Sequence, residues 1–244
     1  MLEIRDLSFS FQLHQPILGK LHMTVGDGEF VSILGPSGSG KSTLFHLIGG
    51  LYQPDAGSIL LNGEKINGSK GHISYMPQQP ALLPWRTVEE NIRLGMELSS
   101  GAHTVDIKEL LKKAGLQDYE HALPHELSGG MKQRVAFLRS IASPQTLMCL
   151  DEPFSALDEF TRLSMQKWLL NIWETNRRSV LFITHNIEEA LLLSDKIYIL
   201  SSKPAGVLKE IHVPFPRPRS EEVLMSDELF ALKKEIYDLL RGSL

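Results

Sequence analysis

The chain has 244 residues, of which 42% are apolar, with 25 Lys and Arg against 29 Asp and Glu for a formal net charge of −4. That length suits one α/β domain or one domain with an inserted lobe, and the slight acidity shows no basic stripe of the kind a nucleic-acid partner requires. The single cysteine, Cys149, excludes an internal disulfide framework and any Cys/His metal spacing, and its apolar neighbours make it a small core hydrophobe.

Residues 2–35 read as short strands separated by turns, with Gly26-Asp27-Gly28 leading into the apolar strand Phe30–Leu34. A glycine-rich loop follows, then an amphipathic helix with Leu44, Leu47, Ile48 and Leu51 on one face. Ile59–Leu61 with Asn62-Gly63 predicts a strand and tight turn, and His72–Met76 a further strand. Thr87 and Glu90 form a capping box at the start of a helix. A second helix is expected over Thr104–Ala114, ended by Gly115. A third starts near Ser128 and carries Met131, Val135, Leu138 and Ala142 at helical spacing. The block 86–145 therefore reads as an inserted helical lobe between a core of 1–85 and 146–212.

Alternation of strand and helix then resumes. Thr146–Leu150, Val180–Thr184 and Lys196–Leu200 are buried-type strands, a helix runs on from Asp158, and Asn186 with Glu189 caps another. Pro214-Phe215-Pro216-Arg217-Pro218-Arg219 reads as a stiff extended link to a last amphipathic helix carrying Leu229, Leu232, Ile236 and Leu239. The segment 213–244 is thus a C-terminal extension. The first residues lack the order of a signal peptide, and no apolar run reaches the roughly 20 residues that span a bilayer. The expectation is a cytosolic chain whose membrane role, if any, comes through a partner.

Chemistry concentrates at the ends of the apolar strands. Gly35-Pro36-Ser37-Gly38-Ser39-Gly40-Lys41-Ser42 fits the phosphate-binding pattern of Gly, four residues, then Gly-Lys-Ser. Glycines let backbone N–H groups curl around a phosphate, and the next helix turns its positive end, with Ser42 and Thr43, toward the same anion. Lys41 is expected on the β- and γ-phosphates and Ser42 on Mg²⁺. Asp151-Glu152, closing an apolar strand, suits a Mg²⁺-organising carboxylate followed by a general base.

Leu127-Ser128-Gly129-Gly130-Met131 selects among the many phosphate-loop proteins. It resembles the LSGGQ motif of the ATP-binding cassette (ABC) family, with Met131 in place of the usual glutamine. Other motifs of that family follow in order. Tyr75-Met76-Pro77-Gln78 resembles the Q-loop, Ser155-Ala156-Leu157-Asp158 the D-loop and Thr184-His185 the switch histidine. The resemblance covers residues 1 to about 212. It implies an α/β P-loop NTPase fold with a mainly parallel sheet, an N-terminal antiparallel β region and the inserted lobe.

The resemblance also implies ATP hydrolysis, with ATP and Mg²⁺ as ligands. Glu152 polarises the attacking water, Gln78 touches water and Mg²⁺, and His185 meets the γ-phosphate. Ser128, Gly129, Gly130 and Asp158 engage a second copy, so that two chains sandwich two ATP molecules. Phe11 aligns with the aromatic that stacks on adenine; Phe9 is the other candidate, and both also fit a strand core. Pro80-Ala81-Leu82-Leu83-Pro84-Trp85 and the PFPRPR stretch resemble import ATPases of the nitrate, sulfonate, taurine and thiamine-precursor group. Permease subunits and a solute-binding protein are the implied partners, on the cytoplasmic face of a membrane. Leu82, Leu83 and Trp85 fit a groove for a permease helix, and Trp85 fits a lobe core equally well. The competing function is a soluble ABC ATPase acting on DNA or ribosomes, which would bring a coiled-coil insertion, a second cassette or a basic surface.

Overall fold

Alternating and fully apolar segments of the sequence fold into different sheets. The computed structural model describes residues 1–12, 15–97, 105–155, 157–217, 219, 223 and 225–242. These residues form two compact units, one of Met1–His72 with Arg177–Leu244 and one of Ile73–Asn176.

In the first unit, β1 (Leu2–Ser10), β2 (Pro16–Val25), β4 (Ala56–Leu61) and β5 (Glu64–Lys65) make an antiparallel sheet in the order β2-β1-β4-β5. One face of β1 is buried, but the alternation changes phase: Leu2 and Ile4 are inside, then Leu7 and Phe9. The register slips between Ile4 and Leu7, where Asp6 takes a φ of 47°, so a bulge keeps both apolar pairs on the core side. Asn62 and Gly63 have φ of 53° and 85° and close the expected tight turn, which needs positive φ at both central residues.

The fully buried strands β3 (Phe30–Leu34), β8 (Ser179–Ile183) and β9 (Lys196–Leu200) pair in parallel, β3 lying between the other two. Burial on both faces is the reason they read as unbroken apolar runs. An edge strand, β10 (Val207–His212), pairs antiparallel with β9. Around this sheet lie α1 (Lys41–Ile48), α6 (Ile187–Leu193) and α7 (Asp227–Gly242). Leu229 and Ile236 of α7 are buried against Leu191, Ile197 and Ile199, with Leu232 and Leu239 packed partly on the same cluster.

Leu51 departs from its expected place. Helix α1 ends at Ile48, Gly50 turns the chain at a φ of 71°, and Leu51 is exposed, its N–H donating to His46 O at 2.8 Å. A Cβ on Gly50 would stand 2.2 Å from Ser69 O, so only glycine fits this helix end. The Pro214–Arg219 segment is pinned as well as extended, although Pro218 lies outside the described residues. Arg219 donates to Leu191 O and Leu192 O at 2.9 and 2.8 Å, and Arg217 donates to Leu193 O and to Asp195 Oδ1. These guanidinium groups satisfy the last carbonyls of α6. Burial, then the neighbouring Arg217, pushes the Arg219 pKa down to about 10, still far above neutrality.

The second unit carries β6 (Ser74–Met76) paired in parallel with β7 (Leu147–Asp151). Its helices are α2 (Val88–Glu97), α3 (Ile107–Lys113), α4 (Gly129–Ala142) and α5 (Glu159–Asn176). The capping box holds: Thr87 N–H donates to Glu90 Oε2 at 2.8 Å and Glu90 N–H to Thr87 Oγ1 at 3.3 Å. Helix α3 is capped by Asp106, later than expected, and ends at Gly115 with a φ of 64°; Thr104 lies outside the described residues. Phe137, Leu138, Phe154 and Trp173 are core residues, and Cys149 is buried in β7 as expected. No helix among the described residues is long and apolar enough to cross a membrane.

Candidate functional site

Each unit carries one set of the expected site residues. In the first unit, β3 and β8 pair with Ile33 opposite Ile183, so the loops after them open side by side. Thr184 N–H donates to Ile33 O at 3.3 Å and ties the two strand ends together. This is the C-terminal edge of a parallel sheet, where α/β folds place their ligands.

The loop after β3 is built for an anion. Helix α1 starts at Gly40, whose φ of 107° only glycine adopts readily, and no side chain caps its first turn. The first N–H groups of a helix otherwise need a partner, and the macrodipole favours a negative one. A Cβ on Gly40 would meet Ile17 Cγ2 at 2.7 Å. The Ser39 hydroxyl is buried without a hydrogen-bond partner. Lys41 Nζ donates to Gly35 O and Pro36 O at 2.8 and 2.9 Å, which folds the loop around the ammonium. Gly38 has a φ of 75° and open space at its Cβ, and Ser37 and Ser42 are exposed while Thr43 is half-buried. An uncapped helix, a buried lysine and an orphaned hydroxyl together fit a bound phosphate.

His185 is exposed on the turn between β8 and α6. Its neighbours fix that turn. Thr184 Oγ1 donates to Glu189 Oε2 at 2.5 Å and accepts from Asn186 N–H at 3.0 Å. Asn186 Oδ1 caps α6, accepting from Glu188 N–H and Glu189 N–H at 2.8 and 3.2 Å. The cap pair expected from sequence is therefore half reciprocal, since the Glu189 carboxylate binds Thr184 instead. Phe11, just past β1, is 56% exposed, whereas Phe9 is 7% exposed. Phe11 meets the edges of Phe9 and Tyr52 at 5.0 and 5.4 Å, so its ring is braced by two others.

In the second unit, Tyr75 pairs with Cys149 and Met76 with Leu150, so Gln78 and Asp151-Glu152 emerge from adjacent strand ends. Asp151 is buried, and Tyr75 O–H donates to its Oδ2 at 3.3 Å. Burial, then the Asp151 charge, pushes the Tyr75 phenol well above its ordinary pKa, which keeps it a neutral donor. Glu152 has a φ of 44°, a conformation a non-glycine residue rarely takes. Gln78 Nε2 donates to Glu152 Oε2 at 3.2 Å and lies 3.4 Å from Ser155 Oγ, which itself donates to Glu152 O at 3.0 Å. The strained turn thus aims the Glu152 carboxylate at the Gln78 amide.

Helix α4 opens at Ser128, whose hydroxyl accepts from Met131 N–H at 3.3 Å, with Ser128 and Gly129 exposed. A Cβ on Gly130 would come within 3.2 Å of Thr161, so α4 and α5 start side by side. Asp158 is exposed and caps α5, accepting from Thr161 N–H at 3.0 Å; those Thr161 contacts hold its carboxyl below the usual range. Ala156 of the expected D-loop lies outside the described residues. Met131 is half-buried within α4. The segment after Gln78 is fastened from below. Asn91 Oδ1 accepts from Leu83 N–H at 2.8 Å, and its Nδ2 lies 3.2, 2.9 and 3.0 Å from the carbonyls of Leu83, Arg86 and Thr87. Arg139 donates to Ala81 O and Pro80 O at 2.8 and 2.7 Å. On this frame Trp85 is 72% exposed, which removes the lobe-core alternative, and Leu82 and Leu83 are half-buried. Tyr52, Asn91 and Arg139 escaped the sequence reading, and Tyr75 and Ser155 were read only as members of their motifs. Tyr52, Tyr75 and Arg139 act through partners distant in the chain, while Asn91 binds backbone groups only four to eight residues away.

The family model for ABC transporter matches residues 18–155. The chain is 42% identical over 246 residues to the formylaminopyrimidine import ATP-binding protein ThiZ of Halalkalibacterium halodurans, covering 98% of this chain and 96% of that protein. It is 39% identical over 227 residues to the nitrate import ATP-binding protein NrtD of Synechococcus elongatus, covering 90% and 83%. It is 40% identical over 228 residues to the aliphatic sulfonates import ATP-binding protein SsuB of Bacillus cereus, covering 93% and 90%. Among solved structures, a dimeric post-hydrolysis ATP-binding cassette bound to ADP and Pi superposes with a TM-score of 0.74 at 28% identity, covering 88% of this chain and all (100%) of that one.

Proposed function

This chain belongs to the ABC transporter family, and from that premise we propose that it drives a membrane importer of a small solute through two copies closing on ATP. The chain binds and hydrolyses ATP. The solute is of the thiamine-precursor, nitrate, taurine or sulfonate type; the relatives' names, which specify formylaminopyrimidine, nitrate and aliphatic sulfonates, support that range. Transmembrane permease subunits and a solute-binding protein complete the system, and the chain works on the cytoplasmic face.

The roles follow from the chemistry of each group. The first turn of α1 and Lys41 hold the β- and γ-phosphates, and the braced ring of Phe11 stacks on adenine. Ser128, Gly129 and Gly130 of the second copy turn another helix N-terminus toward the γ-phosphate, while Asp158 lies at the start of α5 facing that copy. Glu152 takes the proton of the attacking water, Gln78 orients that water, and His185 donates to the γ-phosphate as charge builds on it. Ser42, Asp151 and Gln78 offer the hydroxyl, carboxylate and amide oxygens that suit Mg²⁺. When bound, the cation neutralises phosphate charge. Trp85, Leu82 and Leu83 receive a short cytoplasmic helix of the permease, as apolar anchors in a groove do.

The observation that carries this reading is the backbone of Glu152, held at a φ of 44° with its carboxylate on Gln78. Such strain persists only where surrounding contacts hold it, and it clusters at active sites. Glu152→Gln is expected to keep ATP binding and to cut steady-state phosphate release by about 10²–10⁴, the usual contribution of a general base. Retention of more than half the turnover would remove Glu152 from the role. With hydrolysis blocked in this way, light scattering should show a dimer with Mg-ATP and a monomer without it.

A further inference from the structure

An unassigned pocket of about 580 Å³ lies in the first unit between the phosphate loop, α6 and α7. Pro36, Ile187, Tyr237 and Leu240 give it apolar walls, while His185, Arg241 and the Lys233–Glu188 ion pair stand on its lining. Lys233 also reaches Glu188, which fixes the top of α7 to the start of α6. Helix α7 is otherwise anchored by the buried Leu229 and Ile236, so the pocket wall it supplies is firm.

In the second unit the first turn of α5 exposes an apolar pair. Phe160 is 88% exposed, and Leu163, three residues on and so on the same helix face, is 47% exposed. Asp158 and Glu159 precede Phe160, and both are exposed. Arg162 turns inward, its guanidinium donating to Leu157 O at 2.9 Å. The turn therefore offers an aromatic ring rimmed by acidic groups, and the pocket offers an apolar cavity whose rim carries Arg241 and the Lys233–Glu188 pair.

We propose that in the ATP-bound dimer the Phe160 ring of each copy enters the other copy's pocket, making the C-terminal helix α7 part of the closing interface. The inference rests on the sandwich dimer proposed above, which brings a second copy over Gly35–Ser37 and His185. Those residues form the wall of the pocket opposite α7. Asp158 and Glu159 then face Arg241 at a rim where Lys233 is already paired with Glu188, so Arg241 carries the charge match that sets register. A two-fold dimer makes the contact twice, so removing one side chain type deletes both. Helix α7 thereby senses closure: it gains its aromatic partner only when the phosphate loop and His185 are covered.

Two measurements test this in the Glu152→Gln background. In the first, a Phe160→Cys chain is mixed with a Tyr237→Cys chain and oxidised with copper phenanthroline. The native Cys149 is buried and does not compete. A covalent heterodimer that forms with Mg-ATP and not without it is expected. In the second, Phe160→Ala should raise the dimer dissociation constant by at least about a hundredfold, about tenfold for each of the two rings lost, while Phe160→Leu recovers most of it. The melting temperature of the nucleotide-free chain should not move, since the ring is exposed there. A dimer that forms with unchanged affinity in Phe160→Ala and yields no cross-link overturns the proposal and leaves the sandwich intact. That outcome is also the one expected if the pocket serves a small organic anion. A parent chain that never dimerises with Mg-ATP overturns the sandwich and this contact together.

Discussion

Asn91 is the residue whose loss should cost most for its size. It is fully buried, and its amide serves Leu83 N–H and the carbonyls of Leu83, Arg86 and Thr87. In Asn91→Ala these backbone groups lose their common partner. The amide oxygen accepts one hydrogen bond and the two N–H groups donate at most two, so about 0.5–1.5 kcal/mol for each gives roughly 1.5–4.5 kcal/mol, centred on about 3 kcal/mol. For a chain of this size, 1 kcal/mol moves Tm by about 2–4 °C, so a fall of about 6–12 °C is expected by calorimetry. The loop that presents Trp85 should loosen more than the rest. Permease-stimulated ATPase activity in the reconstituted complex should therefore drop more than basal ATPase activity of the isolated chain. A Tm within about 2 °C of the parent would show that the loop is held by Arg139 and its turns alone, and would refute the reasoning.

The adenine platform separates two neighbouring aromatics. Phe11→Ala should weaken ATP binding by about 5- to 150-fold with little change in Tm, as a stacking residue on the surface does, and Phe11→Trp should be tolerated. Phe9→Ala should instead lose about 3–5 kcal/mol of stability from the core; nucleotide affinity lost only in the Phe9 variant would move the platform there. Trp85→Ala should leave Tm and basal ATPase activity unchanged, because the ring is exposed, and should reduce permease-stimulated activity. Intact coupling in that variant would sink the docking surface.

How much of this was legible in the sequence depended on whether the determining interaction was local. Caps and turns are written within a few residues: Thr87 with Glu90 and Asn62-Gly63 formed as read, and a helix opens at Ser128. The parallel strands were legible for the same reason that they are buried, since an unbroken apolar run has no other home in an α/β fold. Leu51 was misread because periodicity alone carried it onto the helix face. The glycine before it, pressed against Ser69 O, stops α1 by a contact that no local pattern reveals. The edge strand β10 went unread because it has one buried core position, Ile211, among exposed neighbours.

The candidate site divides along the same line. Residue types at strand ends pointed to the phosphate loop, Asp151, Glu152 and His185 as site candidates, because nucleotide chemistry calls for such side chains. What aims them was hidden. Tyr75 is 76 residues from the Asp151 carboxylate it holds, and Gln78 is 74 residues from Glu152. These pairs meet only because β6 and β7 run in parallel register, which places Tyr75 beside Cys149. The register also explains why the supporting groups are polar yet tolerated. A neutral phenol with a raised pKa donates to the buried Asp151 carboxylate without adding a second charge beside it. Replacing Tyr75 by phenylalanine removes only that donor. With the Asp151 carboxylate less firmly held, the Mg²⁺ concentration that half-saturates ATP turnover should rise by about 10- to 100-fold, while the melting temperature stays near that of the parent. An unchanged Mg²⁺ dependence would show that other contacts of Asp151 suffice to orient it.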